Sequence, residues 1–256
     1  MIDPRAVIDP SARLPDAVSV GAFTIIGPDV EIGAGTWIGP HAVINGPTSI
    51  GSDNRIYQFA SVGEAPQDKK YAGEPTRLEI GDRNLIREFV TINRGTVQDA
   101  GVTRIGDDNW IMAYVHIAHD CRVGNQTIFS NNASLAGHVE VDDYAILGGF
   151  TLVHQFCAIG THAFCAFGSG IKKAVPPFVI VDGSPARPRG LNAEGLKRRG
   201  FTDKAQQALR QAYKTLYRSN LSLREALADL QEMAKEQEEV AQLVSFIEQQ
   251  TRGIVR

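Results

Sequence analysis

The sequence predicts a mainly β protein, a parallel β-helix of hexapeptide repeats followed by a small C-terminal α-helical domain. Three observations carry this: an apolar residue at every sixth position, two polar interruptions of that rhythm, and a change of composition to helix formers from Asn192. Ile2, Ile8, Leu14, Val20, Ile26, Ile32, Ile38, Ile44, Ile50, Ile56 and Val62 are spaced by six, and all are aliphatic. The rhythm resumes at Ile80, Ile86 and Ile92. It then runs unbroken through Ile105, Ile111, Ile117, Val123, Phe129, Leu135, Val141, Leu147, Val153, Ile159, Cys165 and Ile171. Helices repeat near 3.6 residues and strands near 2, so a period of six belongs to neither alone. Three hexads form one triangular coil of 18 residues with its apolar side chains inside. The repeats make between eight and nine coils, a prism about 40 Å long at ~4.8 Å per coil. Glycine follows the core residue at Gly21, Gly27, Gly33, Gly39, Gly51 and Gly63, where it is expected to supply the backbone angles of tight corners.

Residues 64–79, EAPQDKKYAGEPTRLE, are charged and contain two prolines, and 94–104, RGTVQDAGVTR, break the rhythm again. Both read as loops thrown out of a rigid wall, the usual place for function. The β-helix is therefore assigned to 1–190 with loops at 64–79 and 94–104, and the helical domain to 191–256. The segment FVIVDGSPARPRG reads as extended. Asn192 is expected to cap a short helix, Thr202 or Asp203 the next, and Ser222 with Glu225 forms a capping-box pattern for a third. Val240, Leu243, Val244 and Ile247 line one face of a fourth.

The 256 residues carry a net charge of −3, which argues against nucleic-acid binding. No stretch approaches the length of an apolar membrane span, and MIDPRAVIDP lacks the pattern of a signal peptide. Cys121, Cys157 and Cys165 show no zinc-type spacing and are expected to be reduced thiols in the cytoplasm.

Residues 18 apart stack, so His119, Gly137 and Gln155 share one column, and Asp120 and His138 the next. A histidine beside a carboxylate, with a bare glycine amide one coil above, has the parts of a general base, its orienter and an oxyanion donor. Five of the six histidines (His116, His119, His138, His154 and His162) fall within 47 residues, a concentration that a solvated wall does not explain. Together these parts suit direct acyl transfer to an alcohol. Arg187, Arg189, Lys197, Arg198 and Arg199 form a basic cluster suited to a phosphorylated substrate or an acidic carrier.

The segments QDKKYAGEPTRLEIGDRN, HIAHDCRVGN, NNASLAGHVEVDD, VHQFCAIG and GLNAEGLKRRGF carry a closer resemblance. Over the full chain the sequence resembles the UDP-N-acetylglucosamine O-acyltransferases of lipid A biosynthesis, acyl-carrier-protein-dependent hexapeptide-repeat enzymes. The resemblance implies a left-handed β-helix, against the usual crossover hand, and a cytoplasmic homotrimer with active sites between subunits. It implies transfer of a (3R)-3-hydroxyacyl group from acyl carrier protein to the glucosamine 3-hydroxyl of UDP-N-acetylglucosamine, with no cofactor and no metal. His119 is then the base, Asp120 orients it, and Gly137 supplies the oxyanion amide. Asp68 and Lys70 would reach the sugar nucleotide from a neighbouring subunit, with His138 lining the site. Gln155, Asn192, Glu194, Arg198 and Arg199 would bind the UDP moiety, with His116 and His154 nearby. Phe167 stands where long-chain relatives carry glycine, so it is expected to shorten the acyl groove. Asn93 stands where some relatives have histidine, a difference given no consequence.

A rival on the same prism is a zinc-dependent γ-type carbonic anhydrase with His116, His119 and His138 as ligands. It leaves Asp120 and the basic C-terminal segment without roles.

Overall fold

The computed structural model describes residues 1–256. Two- to four-residue strands wind into a left-handed parallel β-helix whose walls are three sheets of nine, seven and ten strands. Face 1 runs from Val7–Ile8 to Gly170–Ile171 and includes His116–Ile117. Face 2 runs from Val30–Ile32 to Ala158–Ile159. Face 3 runs from Ser19–Val20 to Phe164–Cys165 and ends in an antiparallel hairpin, Val179–Asp182 with Arg187–Leu191. The stretch expected to be simply extended therefore turns back on itself.

Pairing is in register at 18 residues: Ile26 lies opposite Ile44, and Ile117 opposite Leu135. The sixfold residues from Val20 to Ile171 are buried, while Ile2 is 46% exposed because no coil lies beneath it. Glu79 pairs with Ser49 and Arg77 with Val102, 30 and 25 residues apart instead of 18. The two insertions are thus twelve and seven residues long. Both leave the prism after a face 1 strand, Ser61–Glu64 and Thr91–Asn93. They therefore rise from the corner between faces 1 and 2, directly below the corner that holds His119.

The expected role of the glycines is corrected. Apart from Gly63, the glycines that follow core residues do not have positive φ; three positions after the core residue, Phe23, His41, Asp53 and His138 do. Gly21 and Gly33 are needed for close approach: a Cβ on Gly33 would lie 2.5 Å from the carbonyl carbon of Gly51 in the next coil. Stacking accompanies the strained corners, with Phe23, His41, Phe59, Phe89 and Tyr114 forming one ladder of rings 4.8–5.4 Å apart.

A second ladder is buried and polar. Two residues before successive core isoleucines, Asn54, Asn84 and Asn109 are at most 1% exposed. Asn54 Oδ1 accepts the Asn84 N–H, and Asn84 Oδ1 accepts the Asn109 N–H. The amide groups of Asn54 and Asn84 donate to the carbonyls of Gly81 and Gly106. These bonds cross-link coils at the corner between faces 2 and 3.

Four helices follow: α1 (Ala193–Arg198), α2 (Asp203–Arg218), α3 (Leu223–Ala234) and α4 (Glu238–Gln249). Asn192 and Thr202 cap α1 and α2, and Ser222 and Glu225 form the capping box of α3. Leu209, Leu216, Leu230, Val240 and Leu243 share a separate core with Phe178. The chain then returns to the prism, where Ile254 and Val255 are buried and bonded alongside Ala174.

Replacing Asn84 by Ala leaves the Asn109 N–H and the Gly106 carbonyl without their buried partners, at about 1–3 kcal/mol for each group. Denaturant unfolding at fixed chain concentration should show a clearly lower midpoint than the exposed control Ser49→Ala, which is expected to stay within about 0.5 kcal/mol of wild type.

Candidate active site

His119 and Asp120 lie on the corner between faces 1 and 2, just after His116–Ile117. Because Ile117 must point inward, the chain turns out at His119, and Asp120 takes the positive-φ corner conformation (φ 59°). His119 Nδ1 is 2.8 Å from Asp120 Oδ2. The same carboxylate accepts the backbone N–H of Thr96 at 2.8 Å and its hydroxyl at 2.6 Å. Asp120 is almost completely buried, and burial alone would raise its pKa. The hydrogen bonds from His119 and Thr96, helped by the charge of His138, outweigh burial and hold the carboxyl below its usual range. An ionised Asp120 keeps the proton of a neutral His119 on Nδ1 and leaves Nε2 as the base.

One coil above, Gly137 sits against the imidazole. A Cβ there would lie 2.5 Å from His119 Cε1 and 2.7 Å from Nε2, so only glycine permits this approach. The His138 N–H donates to the His119 carbonyl at 3.1 Å. The His138 ring meets His119 edge-on at 5.2 Å, and its Nδ1 lies 3.4 Å from Asp99 Oδ2. Phe156, a further coil up, stacks on His138 at 4.4 Å. The Arg252 guanidinium sits 4.5 Å over Phe156 and donates to the Gln155 carbonyl.

His119, Asp120, His138, Phe156 and Arg252 line a cleft of about 1050 Å³ that also takes in Asp68 and Lys70. The first loop, which bears Asp68 and Lys70, also borders the cleft of its own chain. Asn93 and Arg94 anchor that loop. Asn93 Nδ2 donates to the Ala65 carbonyl, and Arg94 donates to the carbonyls of Gly46 and Gly63 and to the Tyr71 hydroxyl. Thr96, Asp99, Phe156 and Arg252 join the site without being candidates of the sequence. The corner shared by the second loop and His119 was a usable signal for Thr96 and Asp99; nothing in the spacing points to Arg252. Cys157 also lines the cleft, but burial pushes its thiol up, which makes it a poor nucleophile.

Other candidates lie elsewhere on the chain. His116 is half-buried on face 1, 2.7 Å from the Thr91 hydroxyl, and burial lowers its pKa, with the nearby charge of His119 adding to the effect. His154 is exposed and does not border the cleft. Asn192, Glu194, Arg198 and Arg199 gather at the corner between faces 2 and 3. There Asn192 caps α1 and donates to the His162 carbonyl, Glu194 pairs with Arg198, and Arg199 lies over Tyr144 and bonds Gln126. Phe167 stands at the corner between faces 3 and 1, 72% exposed, edge-on to Phe150. A single chain thus divides the candidate set among three corners. The residues able to hold a metal ion are His119, Asp120 and His138, whose ligand atoms lie within 4.8 Å of one another; His116 is not among them.

A hexapeptide prism whose corner carries a carboxylate-oriented histidine has the form of a hexapeptide-repeat acyltransferase. The family model described as bacterial transferase hexapeptide matches residues 29–64 and 103–137. That described as Udp N-acetylglucosamine O-acyltransferase, domain 2, matches 175–255. The acyl-(acyl-carrier-protein) UDP-N-acetylglucosamine O-acyltransferase of Thiobacillus denitrificans is 63% identical over 255 residues, which is 100% of this chain and 99% of that protein. Its namesake from Herminiimonas arsenicoxydans is 60% identical over 260 residues with the same coverage. The solved UDP-N-acetylglucosamine acyltransferase of Francisella novicida superposes with a TM-score of 0.98 at 44% identity, over 100% of this chain and 94% of that one. The Moraxella catarrhalis enzyme gives 0.97 at 46%, over 100% and 99%. The chain belongs to the family of acyl-carrier-protein-dependent UDP-N-acetylglucosamine O-acyltransferases. These relatives favour acyl transfer over the carbonic anhydrase reading.

Gly137→Ala should fold normally, since Gly137 does not have positive φ, yet drive the His119 ring out of place. Displacing a catalytic group by about 1 Å can cost about 10²-fold in rate. The expected result is a loss of that order in kcat with unchanged circular dichroism, and a variant as active as wild type would refute the contact.

Proposed function

We propose that the chain transfers a (3R)-3-hydroxyacyl group from acyl carrier protein to the 3-hydroxyl of UDP-N-acetylglucosamine, the first acylation of lipid A biosynthesis, by direct attack assisted by His119. The observation that carries this is the His119–Asp120–Gly137 arrangement in a cleft with the first loop, within a family named for the reaction. His119 Nε2 takes the hydroxyl proton as the oxygen attacks the thioester carbonyl. The tetrahedral oxyanion meets the Gly137 amide, for which no intramolecular hydrogen-bond acceptor is found. His119 then returns the proton to the departing thiolate, and holo-carrier leaves. Asp120 stabilises the imidazolium formed in between.

Asp68, Lys70 and His138 border the cleft and are assigned to the sugar nucleotide, and Gln155, which also borders it, to the UDP moiety. Asn192, Glu194, Arg198 and Arg199 are assigned to the UDP moiety, with His116 and His154 nearby. The separation of these groups among corners of one chain supports a homotrimer in which a neighbour's corner completes the site, because association can bring different corners of adjacent prisms together. The basic residues at α1 suit a phosphorylated or acidic partner. No helix is long and apolar enough to cross a membrane, and both proposed substrates are cytoplasmic. The reaction as written needs no cofactor.

Acyl transfer from a series of 3-hydroxyacyl carrier proteins to UDP-N-acetylglucosamine tests the reading. His119→Ala should lower kcat/KM by roughly 10²–10⁴-fold with the oligomer intact. Equal activity in mutant and wild type would remove the base assignment, and inactivity of wild type with every donor would remove the reaction. In the same series, Phe167→Gly should shift the preferred donor to a longer acyl chain; an unchanged profile would show that the exposed ring does not bound the groove.

A further inference from the structure

The cluster of His119, Asp120 and His138 has a second capability. The separations on Asp120 Oδ2 are 2.8 Å to His119 Nδ1 and 3.8 Å to His138 Nε2. They bracket the about 3.3 Å expected between neighbouring ligand atoms around tetrahedral zinc with bonds near 2.0–2.1 Å. The surrounding groups fit as well. Asp99 faces His138 Nδ1 at 3.4 Å, which favours a proton there and leaves the Nε2 lone pair toward the cluster. Thr96 holds Asp120 from behind with two hydrogen bonds, and Phe156 fixes the plane of His138 at 4.4 Å. The ligands open onto a cleft that supplies an entry path and room for water or an anion in the fourth position.

We propose that this corner is also an inhibitory site for a zinc-class divalent ion, held by His119 Nδ1, Asp120 Oδ2 and His138 Nε2. The ion takes the Nδ1 lone pair of the His119 tautomer whose proton sits on Nε2, so the proton moves from Nδ1 to Nε2 and none is lost from the ring. Nε2 then becomes a donor and ceases to be a base. Inhibition therefore rests on His119 serving as base; ion binding does not. The site differs from a resident catalytic zinc because its occupancy removes the group that the transfer reaction needs.

The test uses untagged full-length protein freed of metal with a chelator. Cobalt(II) is titrated in as a zinc surrogate while visible absorption is followed, since tetrahedral and octahedral cobalt differ in band intensity. One ion per chain with intense bands is expected. His119→Gln and His138→Gln should each weaken binding at least tenfold with unchanged circular dichroism, and Asp99→Asn by roughly tenfold. Zinc should displace cobalt, lower acyl transfer by more than tenfold at saturation, and release it on chelation. No binding by the wild type, or binding as tight as wild type in both histidine variants, overturns the site. Binding without loss of transfer overturns the inhibition. Transfer by the metal-free wild type is measured separately, so a failure of the acyltransferase reading is distinguishable from a failure of this one.

Discussion

Parallel stacking of 18-residue coils at one-strand spacing is the constraint on which the rest of the molecule depends. It places every backbone group of one coil against the same hexad position of the next, so the inside of the prism must repeat in kind at every level. Aliphatic side chains meet this by filling a continuous dry column. Asn54, Asn84 and Asn109 meet it differently, each spending its side chain on a neighbouring coil's backbone. A buried amide is tolerable here only because the repeat hands it a donor and an acceptor at fixed distance.

The same spacing builds the site. His119 and Gly137 are one coil apart, so nothing larger than hydrogen fits between the imidazole and the glycine backbone. His138 is tied to His119 through the backbone, and Phe156 to Gly137 in the same way, which sets three aromatic planes along one corner. The two insertions matter because they leave from this corner and no other. Thr96 then reaches Asp120 from a loop that the regular repeat lacks, and ionisation of a deeply buried carboxylate follows from four favourable contacts working against desolvation.

Much of this was legible in the residues alone. The sixfold rhythm fixes the inward residue and hence the columns, so His119, Gly137 and Asp120 could be related before any coordinates. What lay beyond it has physical reasons. The asparagine ladder hides because the second inward position accepts Ala, Val, Leu, Ser, Thr, Asn or Cys, with no common hydropathy to betray it. The left-handed corners hide because Asp, His, Phe and Tyr occupy them where glycine is the usual cue. Arg252 comes from 97 residues beyond Gln155, on a C-terminal segment that rejoins the prism, and no local pattern encodes such a return.

The placement of the remaining candidates is itself informative. In one chain His119, the arginines proposed for the UDP moiety and Phe167 occupy three separate corners, so no rearrangement of side chains could bring them together. Face 2 separates His119 from Arg199, and face 1 separates it from Phe167. The walls between them are hydrogen-bonded sheets that cannot hinge. If all three groups serve one reaction, they must meet between chains, and a rigid prism is well suited to that division. Each copy offers the same three corners at fixed angles, and a closed symmetric assembly repeats one complete site at every interface.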